Sequence, residues 1–323
     1  MEEEKIKIVY FGTPEFAMRP LEALIANENY EVLTVVTQED KKVGRKQVLT
    51  PPPIKVLAQE HEIPVLQPPK LKGNREVEEL LLKLQPDFIV VTAYGQILPP
   101  EILQIPKEYC VNIHGSLLPK YRGASPIEAS IRKGEKETGI TFMKMEEKMD
   151  AGPILHVQRA PIDPSDTGAT LREKLSILAG TLLPAVLQDI LDGTTTPIPQ
   201  DEHKATYCHK ISKQDGLIDL ETMTAEEIHN TTRAYNPWPS CFLSLREKKL
   251  KLIETETDIS SKESKNAKPG EIIEKEEGKI GIGTKKGVIL PLKVQLEGKN
   301  PMSIQEFLRG NSELLTSLLT KAK

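Results

Sequence analysis

The 323-residue chain is poor in the groups that most readily announce a chemistry. Its three cysteines, Cys110, Cys208 and Cys241, are odd in number, far apart and without a C-x-x-C pair. That excludes a disulfide framework and a thiolate metal site, and leaves reduced thiols with packing roles. The six histidines are scattered and none forms H-x-x-x-H, so no metal is expected. Neither a G-x-G-x-x-G turn nor a G-x-x-x-x-G-K-[ST] loop occurs, which removes the dinucleotide and P-loop readings. No run approaches eighteen consecutive apolar residues, and the acidic start MEEEKIKIVYF contains no apolar signal region. A cytoplasmic protein with no membrane partner is expected.

Positive charge is also scarce over the first part of the chain. Residues 1–202 hold 23 Lys+Arg against 30 Asp+Glu, whereas residues 203–323 hold 20 against 17. The overall charge of −4 argues against a general nucleic-acid binder. The slightly basic C-terminal third keeps a polyanionic partner open.

What is present is alternation. KIKIVYFG reads as a buried strand, TPEFAMRPLEALIAN as a helix with Phe16, Leu21, Leu24 and Ile25 inward, and YEVLTVVT as a second strand. A short helix and strand follow in PPPIKVLAQEHEIPVLQP. NREVEELLLKLQPDFIVVTAYG is a helix, with Val77, Leu80, Leu81 and Leu84 at helical spacing, running into a very apolar strand. YCVNIHG is another strand and SPIEASIRKG the next helix. This order predicts an α/β fold: a doubly wound, mostly parallel, Rossmann-like sheet, with ligands beyond the carboxyl ends of its strands. A long helix near Thr170–Leu191 closes residues 1–191. The polar, proline-bearing stretch 192–208 reads as a linker. Short strands punctuated by glycine and charge over 209–323 suggest a smaller OB-like β-barrel domain, ending in a helix at MSIQEFLRGN.

The stretch CVNIHGSLLPKYRGASP carries the first chemical signal. Alternate residues of a strand share a face, so Asn112 and His114 project together while Val111 and Ile113 project the other way. Such a pair can simply cap neighbouring backbone, but the turn after it is shaped by glycines and a proline. Asp150, in MEEKMDAGPIL, follows the strand TGITFMKM and precedes a glycine turn. An amide donor, a histidine and an aspartate without a Ser or Cys nucleophile suggest direct group transfer, not a covalent intermediate.

NIHGSLLPKYRGASPIEASI followed by ETGITFMKMEEKMDAGPIL strongly resembles the folate-dependent formyltransferases. The likeness runs through IVYFGTPEFA, KQVLTPPPIK, TAYGQILPPEIL, YNPWPSCF and MSIQEFLRG, essentially the whole chain. The resemblance implies a monomeric enzyme of translation initiation. Its donor would be 10-formyltetrahydrofolate and its acceptor the amino group of methionyl initiator tRNA. It assigns catalysis to Asn112, His114 and Asp150: Asn112 and His114 would stabilise the oxyanion left by amine attack. Asp150 would hold His114 and take part in moving the proton, and which of the two relays it stays open. Ser116, Leu117, Leu118 and Pro119 would form the bend lining the folate site, with Tyr94 and Gly95 on a second wall. Lys120 and Arg122 would face a phosphate or the folate glutamate, or be solvated surface cations.

The aperiodic stretch QEDKKVGRKQVLTPPP is long for a connection inside a sheet domain. By the same resemblance it would clamp the acceptor arm through Lys41, Lys42, Arg45 and Lys46, Arg45 foremost. It departs from relatives in having one arginine where they carry a more glycine-rich basic run. The same trio would serve transfer to glycinamide ribonucleotide or to an amino sugar nucleotide. The C-terminal domain counts against the first of these.

Overall fold

The computed structural model describes residues 4–44, 46–245, 248–275 and 279–316. The chain forms two compact units. The first holds Met1–Pro126, Glu137–Pro161 and Leu171–His209; the second holds Ile127–Lys136, Ile162–Thr170 and Lys210–Lys323.

In the first unit a seven-stranded sheet is built from β1 (Ile6–Gly12), β2 (Tyr30–Val36), β3 (Val65–Leu66), β4 (Phe88–Thr92), β5 (Cys110–His114), β6 (Glu137–Lys144) and β7 (Ile154–Pro161). Their order is β7-β6-β5-β4-β1-β2-β3. The five strands from β5 to β3 run parallel, and β6 and β7 are antiparallel additions. Every residue of β4 and β5 is buried, which is why β4 reads as an unbroken apolar run and not as an alternating one.

Helices connect the strands: α1 (Met18–Ile25), α2 (Pro53–Glu60), α3 (Arg75–Leu84) and α4 (Pro100–Leu103). Phe16, expected on α1, lies in a 3₁₀ turn, Glu15–Ala17, just before it. Helix α3 starts where the Asn74 side chain accepts the Val77 N–H at 3.2 Å. It buries Val77 and Leu81, while Leu80 is exposed, so the apolar spacing overstated the inner face. The stretch expected to be aperiodic forms a small hairpin, Lys41–Val43 paired with Val48–Thr50, with Val43, Val48 and Leu49 exposed. Its alternation is too short to register as a period.

After α5 (Pro126–Arg132) comes α6 (Gly168–Leu191). Helix α6 is long and apolar enough to cross a membrane by composition. Yet one of its faces, with Leu171, Leu175, Ala179, Leu183 and Leu187, is wholly buried inside the protein. Gly180 lies where a Cβ would stand 2.6 Å from the Arg19 carbonyl oxygen, and the Ser176 hydroxyl donates to Phe16 O at 2.9 Å. It is a core helix of this unit.

Residues 192–208, expected as a linker, are part of the first unit. Tyr207–Cys208 pairs in parallel with Arg122–Gly123, and the Arg122 N–H donates to Thr206 O at 2.8 Å. Composition alone read this segment as a connector because it is exposed and proline-bearing. Its partners, however, are backbone groups far away in sequence.

The second unit is an OB-like curled antiparallel sheet: β8 (Cys241–Leu245), β9 (Lys248–Asp258), β10 (Ile272–Glu274), β11 (Ile280–Gly283), β12 (Val288–Leu296) and β13 (Met302–Ser303). The order is β8-β9-β12-β11-β10, with β13 on β12. Register shifts in β9 around Glu254 supply the bend that curls it. Helix α7 (Ala225–Ala234) begins in a capping box between Thr224 and Glu227. Residues 162–170 join this unit because the Arg233 guanidinium donates to Asp166 O at 2.9 Å and Ala169 N–H to Asn236 O. Helices α8 (Lys262–Asn266) and α9 (Ile304–Thr316) complete it.

Candidate active site

Asn112 and His114 lie at the carboxyl end of β5, on one face of the strand, and both are nearly buried. Asp150 reaches them by a route the sequence did not suggest. Because β6 is antiparallel, with Thr141 opposite His114 and Lys144 opposite Val111, it leads away from the β5 tip. The turn through residues 145–152 then doubles back, and Asp150 itself takes a left-handed conformation, φ +51°. Asn112 Nδ2 stands 3.5 Å from Asp150 Oδ1, and His114 Nδ1 stands 3.8 Å from Asp150 Oδ2. The structure therefore brings together all three residues of the expected trio.

Asp150 and His114 are each oriented by backbone. The Gly123 N–H donates to Asp150 Oδ2 at 2.7 Å. His114 Nε2 is 3.0 Å from the Tyr121 carbonyl oxygen. A carbonyl only accepts, so Nε2 carries the hydrogen, and in the neutral ring Nδ1 is then the basic nitrogen facing Asp150. Tyr121 is itself left-handed, φ +60°, and Gly123 has φ +117°, which positions these two backbone groups on either side of Arg122.

The bend Ser116–Pro119 is pinned from within. The Ser116 hydroxyl donates to Lys120 O at 2.7 Å, and the Ser116 carbonyl accepts the Thr141 hydroxyl at 2.7 Å. The Thr141 oxygen in turn accepts the Leu118 N–H at 3.1 Å. The Ser116 side chain is thus spent on loop shape. Leu118 is buried, and Leu117 lies over Gly139, whose missing side chain would stand 2.6 Å from Leu117 Cδ2.

Tyr94 and Gly95 follow β4, the neighbour of β5, with Val91 opposite Asn112. The Tyr94 ring packs edge-on against Phe11, centroids 5.1 Å apart, inside the core. Its carbonyl accepts the Thr13 hydroxyl at 2.9 Å. Ala93 and Gly95 both have positive φ, so the chain turns sharply just past the carboxyl end of β4. Among the described residues the buried Tyr94 hydroxyl and the buried amide nitrogen of Gln38 have no hydrogen-bond partner. Lys41, Lys42 and Lys46 are exposed on the hairpin, and Arg45 lies outside the described residues.

Arg122 overturns both readings offered for it. It is neither solvated nor free to meet a phosphate: its guanidinium is fully buried. Arg122 Nη2 donates to Gln200 Oε1 and to Glu202 Oε1, each at 2.8 Å. The Arg122 bond first, and Lys148 second, pull the Glu202 carboxyl down to about 2. Gln200 and Gly123 were missed from sequence. The glycine of YRG was a usable signal, since a Cβ there would lie 2.1 Å from Cys208 O. Nothing in PIPQDEHK marked Gln200. Among the described residues no group of His, Cys, Asp and Glu is placed to hold a metal.

Residues 4–187 match the formyl transferase family, and residues 210–312 match the formyl transferase C-terminal domain. The chain belongs to the formyl transferase family and is a formyl-transferring enzyme. Within that family it is similar over almost its full length to methionyl-tRNA formyltransferases. That of Staphylococcus epidermidis is 44% identical over 311 residues, 96% of this chain and 97% of the relative. That of Caldicellulosiruptor saccharolyticus is 45% identical over 304 residues, 94% and 96%. The fold is shared with solved structures. An N-formyltransferase from Helicobacter canadensis in complex with folinic acid and dTDP-3-aminofucose gives a TM-score of 0.66 at 21% identity, covering 89% of this chain and 99% of that one. The methionyl-tRNA formyltransferase from Clostridium thermocellum gives 0.52 at 17% identity, covering 79% and 95%.

Proposed function

We propose that this chain transfers the formyl group of 10-formyltetrahydrofolate to the amino group of methionyl initiator tRNA. The meeting of Asn112, His114 and Asp150 carries this reading, in a chain 44% identical over 311 residues to a methionyl-tRNA formyltransferase. The donor supplies an electrophilic formyl carbon. A bond forms from the amine nitrogen to that carbon, and the carbonyl electron pair moves to oxygen. Collapse of the intermediate breaks the bond to the folate nitrogen, which takes up the proton given up by the amine. Asn112 has an amide N–H besides the one turned to Asp150, and it donates to the oxyanion.

The His114 Nε2 hydrogen is held by the Tyr121 carbonyl, so neutral His114 has no hydrogen left for that oxygen. His114 instead accepts the amine proton at Nδ1, and the Asp150 carboxylate stabilises the imidazolium that results. This shifts the emphasis of the sequence reading, in which His114 shared the oxyanion. Backbone of Ser116–Pro119 and of Tyr94–Gly95 would line the donor. The buried Gln38 amide nitrogen, which has no hydrogen-bond partner among the described residues and lies beside Gly95, fits a region that takes a hydrogen-bonding heterocycle. Lys41, Lys42, Arg45 and Lys46, with the OB-like unit, would hold the RNA, in a monomeric cytoplasmic enzyme.

The test offers 10-formyltetrahydrofolate with charged initiator tRNA, charged elongator tRNA and an amino sugar nucleotide in parallel. Formylation of initiator tRNA alone is the expected result. Preference for the amino sugar would overturn the acceptor and leave the trio standing.

A further inference from the structure

We propose that Gln200 is a positioning residue for the reacting pair, setting the separation of Asp150 and His114 from a segment that contributes no reacting group. The proposal rests on the trio reading above. The Gln200 amide uses both ends. Nε2 donates to the Asp150 carbonyl at 2.9 Å and to the Gly152 carbonyl at 2.8 Å. Oε1 accepts from Arg122 Nε at 3.1 Å and from Arg122 Nη2 at 2.8 Å. One side chain therefore ties the turn carrying Asp150 to the strand Arg122–Gly123.

That strand is where the pair is aimed. Tyr121, on one side of Arg122, takes the His114 Nε2 hydrogen, and Gly123, on the other, holds Asp150 Oδ2. Any slip of the Asp150 turn against the Arg122 strand changes the 3.8 Å separation of Asp150 from His114 directly. The turn has reason to slip. Asp150 is held at φ +51°, a conformation that non-glycine residues keep only when their surroundings over-determine it. Gly152 lets this corner pack close against the Lys144 carbonyl, where a Cβ would stand 1.9 Å from the oxygen. Gln200 satisfies the two carbonyls that flank this strained corner.

The geometry separates two functions of Gln200 by variant. Gln200→Glu keeps an acceptor for Arg122 but replaces the donor, turning an oxygen toward two carbonyl oxygens. Gln200→Ala loses both sides. Both variants are measured in the full chain beside Asn112→Ala, with thermal unfolding, single-turnover formylation at saturating donor and charged tRNA, and the pH profile of kcat. A misplacement of this kind costs about 10²-fold in rate. Gln200→Glu should unfold at a lower temperature than wild type, since two carbonyls lose their donor, yet stay folded at the assay temperature and lose about 10²-fold in kcat, with both KM values unchanged. The limb of its pH profile set by the His114–Asp150 pair should move, which a purely structural role would not cause. Gln200→Glu with wild-type kcat and pH profile overturns the proposal. So does a loss in Gln200→Ala that tracks only the folded fraction. If Gln200→Glu is wild-type while Asn112→Ala is inactive, only the Gln200 role falls; an active Asn112→Ala instead removes the trio reading beneath it.

Discussion

Replacing Asp150 with asparagine changes one atom and removes one charge, and its consequences follow from three distances. Asp150 Oδ2 accepts the Gly123 N–H at 2.7 Å and lies 3.8 Å from His114 Nδ1, while Oδ1 lies 3.5 Å from Asn112 Nδ2. In Asp150→Asn the carbonyl oxygen must stay on the Gly123 N–H, so the new amide nitrogen faces the Asn112 amide nitrogen. Two donors then oppose each other, and Asn112 must turn its amide over or move away. The larger loss is electrostatic. Unit charges 3.8 Å apart attract by about 4 kcal/mol at an effective dielectric constant near 20. Little screening by water applies, because the Asp150 side chain is only 15% exposed. The imidazolium is partly formed in the transition state, so about 3–4 kcal/mol of this is at stake, or roughly 10²–10³-fold in kcat. Single-turnover formylation at saturating donor and tRNA measures it, and KM should hold because the charge pair forms only during reaction. A folded Asp150→Asn enzyme that keeps more than about a tenth of wild-type kcat would refute the reasoning.

Gly123→Ala should lower the unfolding free energy by about 2–4 kcal/mol in urea, from the forced φ of +117° and the 2.1 Å approach to Cys208 O, and should abolish turnover with it. Burial pushes the thiols of Cys110 and Cys241 up to about 12, so at pH 8 the native protein should alkylate only at Cys208, and at all three cysteines in urea. Those raised values also set a pH dependence. The stabilisation is complete below the unfolded thiol value of about 8.5 and should be lost at about 1.4 kcal/mol per pH unit per thiol as pH rises toward about 12, read from urea midpoints. Lys41, Lys42 and Lys46 changed together to alanine should raise KM for charged tRNA and flatten its salt dependence, with donor KM unchanged; an unaltered salt slope would return them to ordinary surface charge.

The sheet was legible because β4 and β5 are buried on both faces, and the two polar residues of β5 stand out against that background. Asn112 and His114 were legible as a pair for the same reason, since they interrupt an apolar strand in phase with its two-residue repeat; their grouping with Asp150 in one reaction centre came from the family resemblance. The antiparallel direction of β6 was not legible, because a strand flanked by turns has the same composition in either direction. The roles of Gln200 and Arg122 were equally hidden. Both lie in polar, exposed-looking stretches, and their bonds span 78 residues, a separation no local pattern encodes. Arg122 misled for a related reason: an arginine beside a glycine turn reads as surface until a buried partner for it is seen.

The parallel pairing of Tyr207–Cys208 with Arg122–Gly123 also bears on the order in which the protein comes into being. As the chain leaves the ribosome, β1 to β7 and α6 emerge first, and the sheet can close while residues 200–208 are still in the tunnel. At that stage Asn112 and His114 are in place, but the strand that aims His114 and Asp150 has no neighbour and the Asp150 turn lacks its clamp. A nascent chain halted with Leu191 just clear of the tunnel would therefore hold a folded sheet with an idle reaction centre. One halted with His209 clear of the tunnel would hold a finished one. Synthesis of the last few residues of a polar segment, and not formation of the core, would be the moment at which the reaction centre is complete.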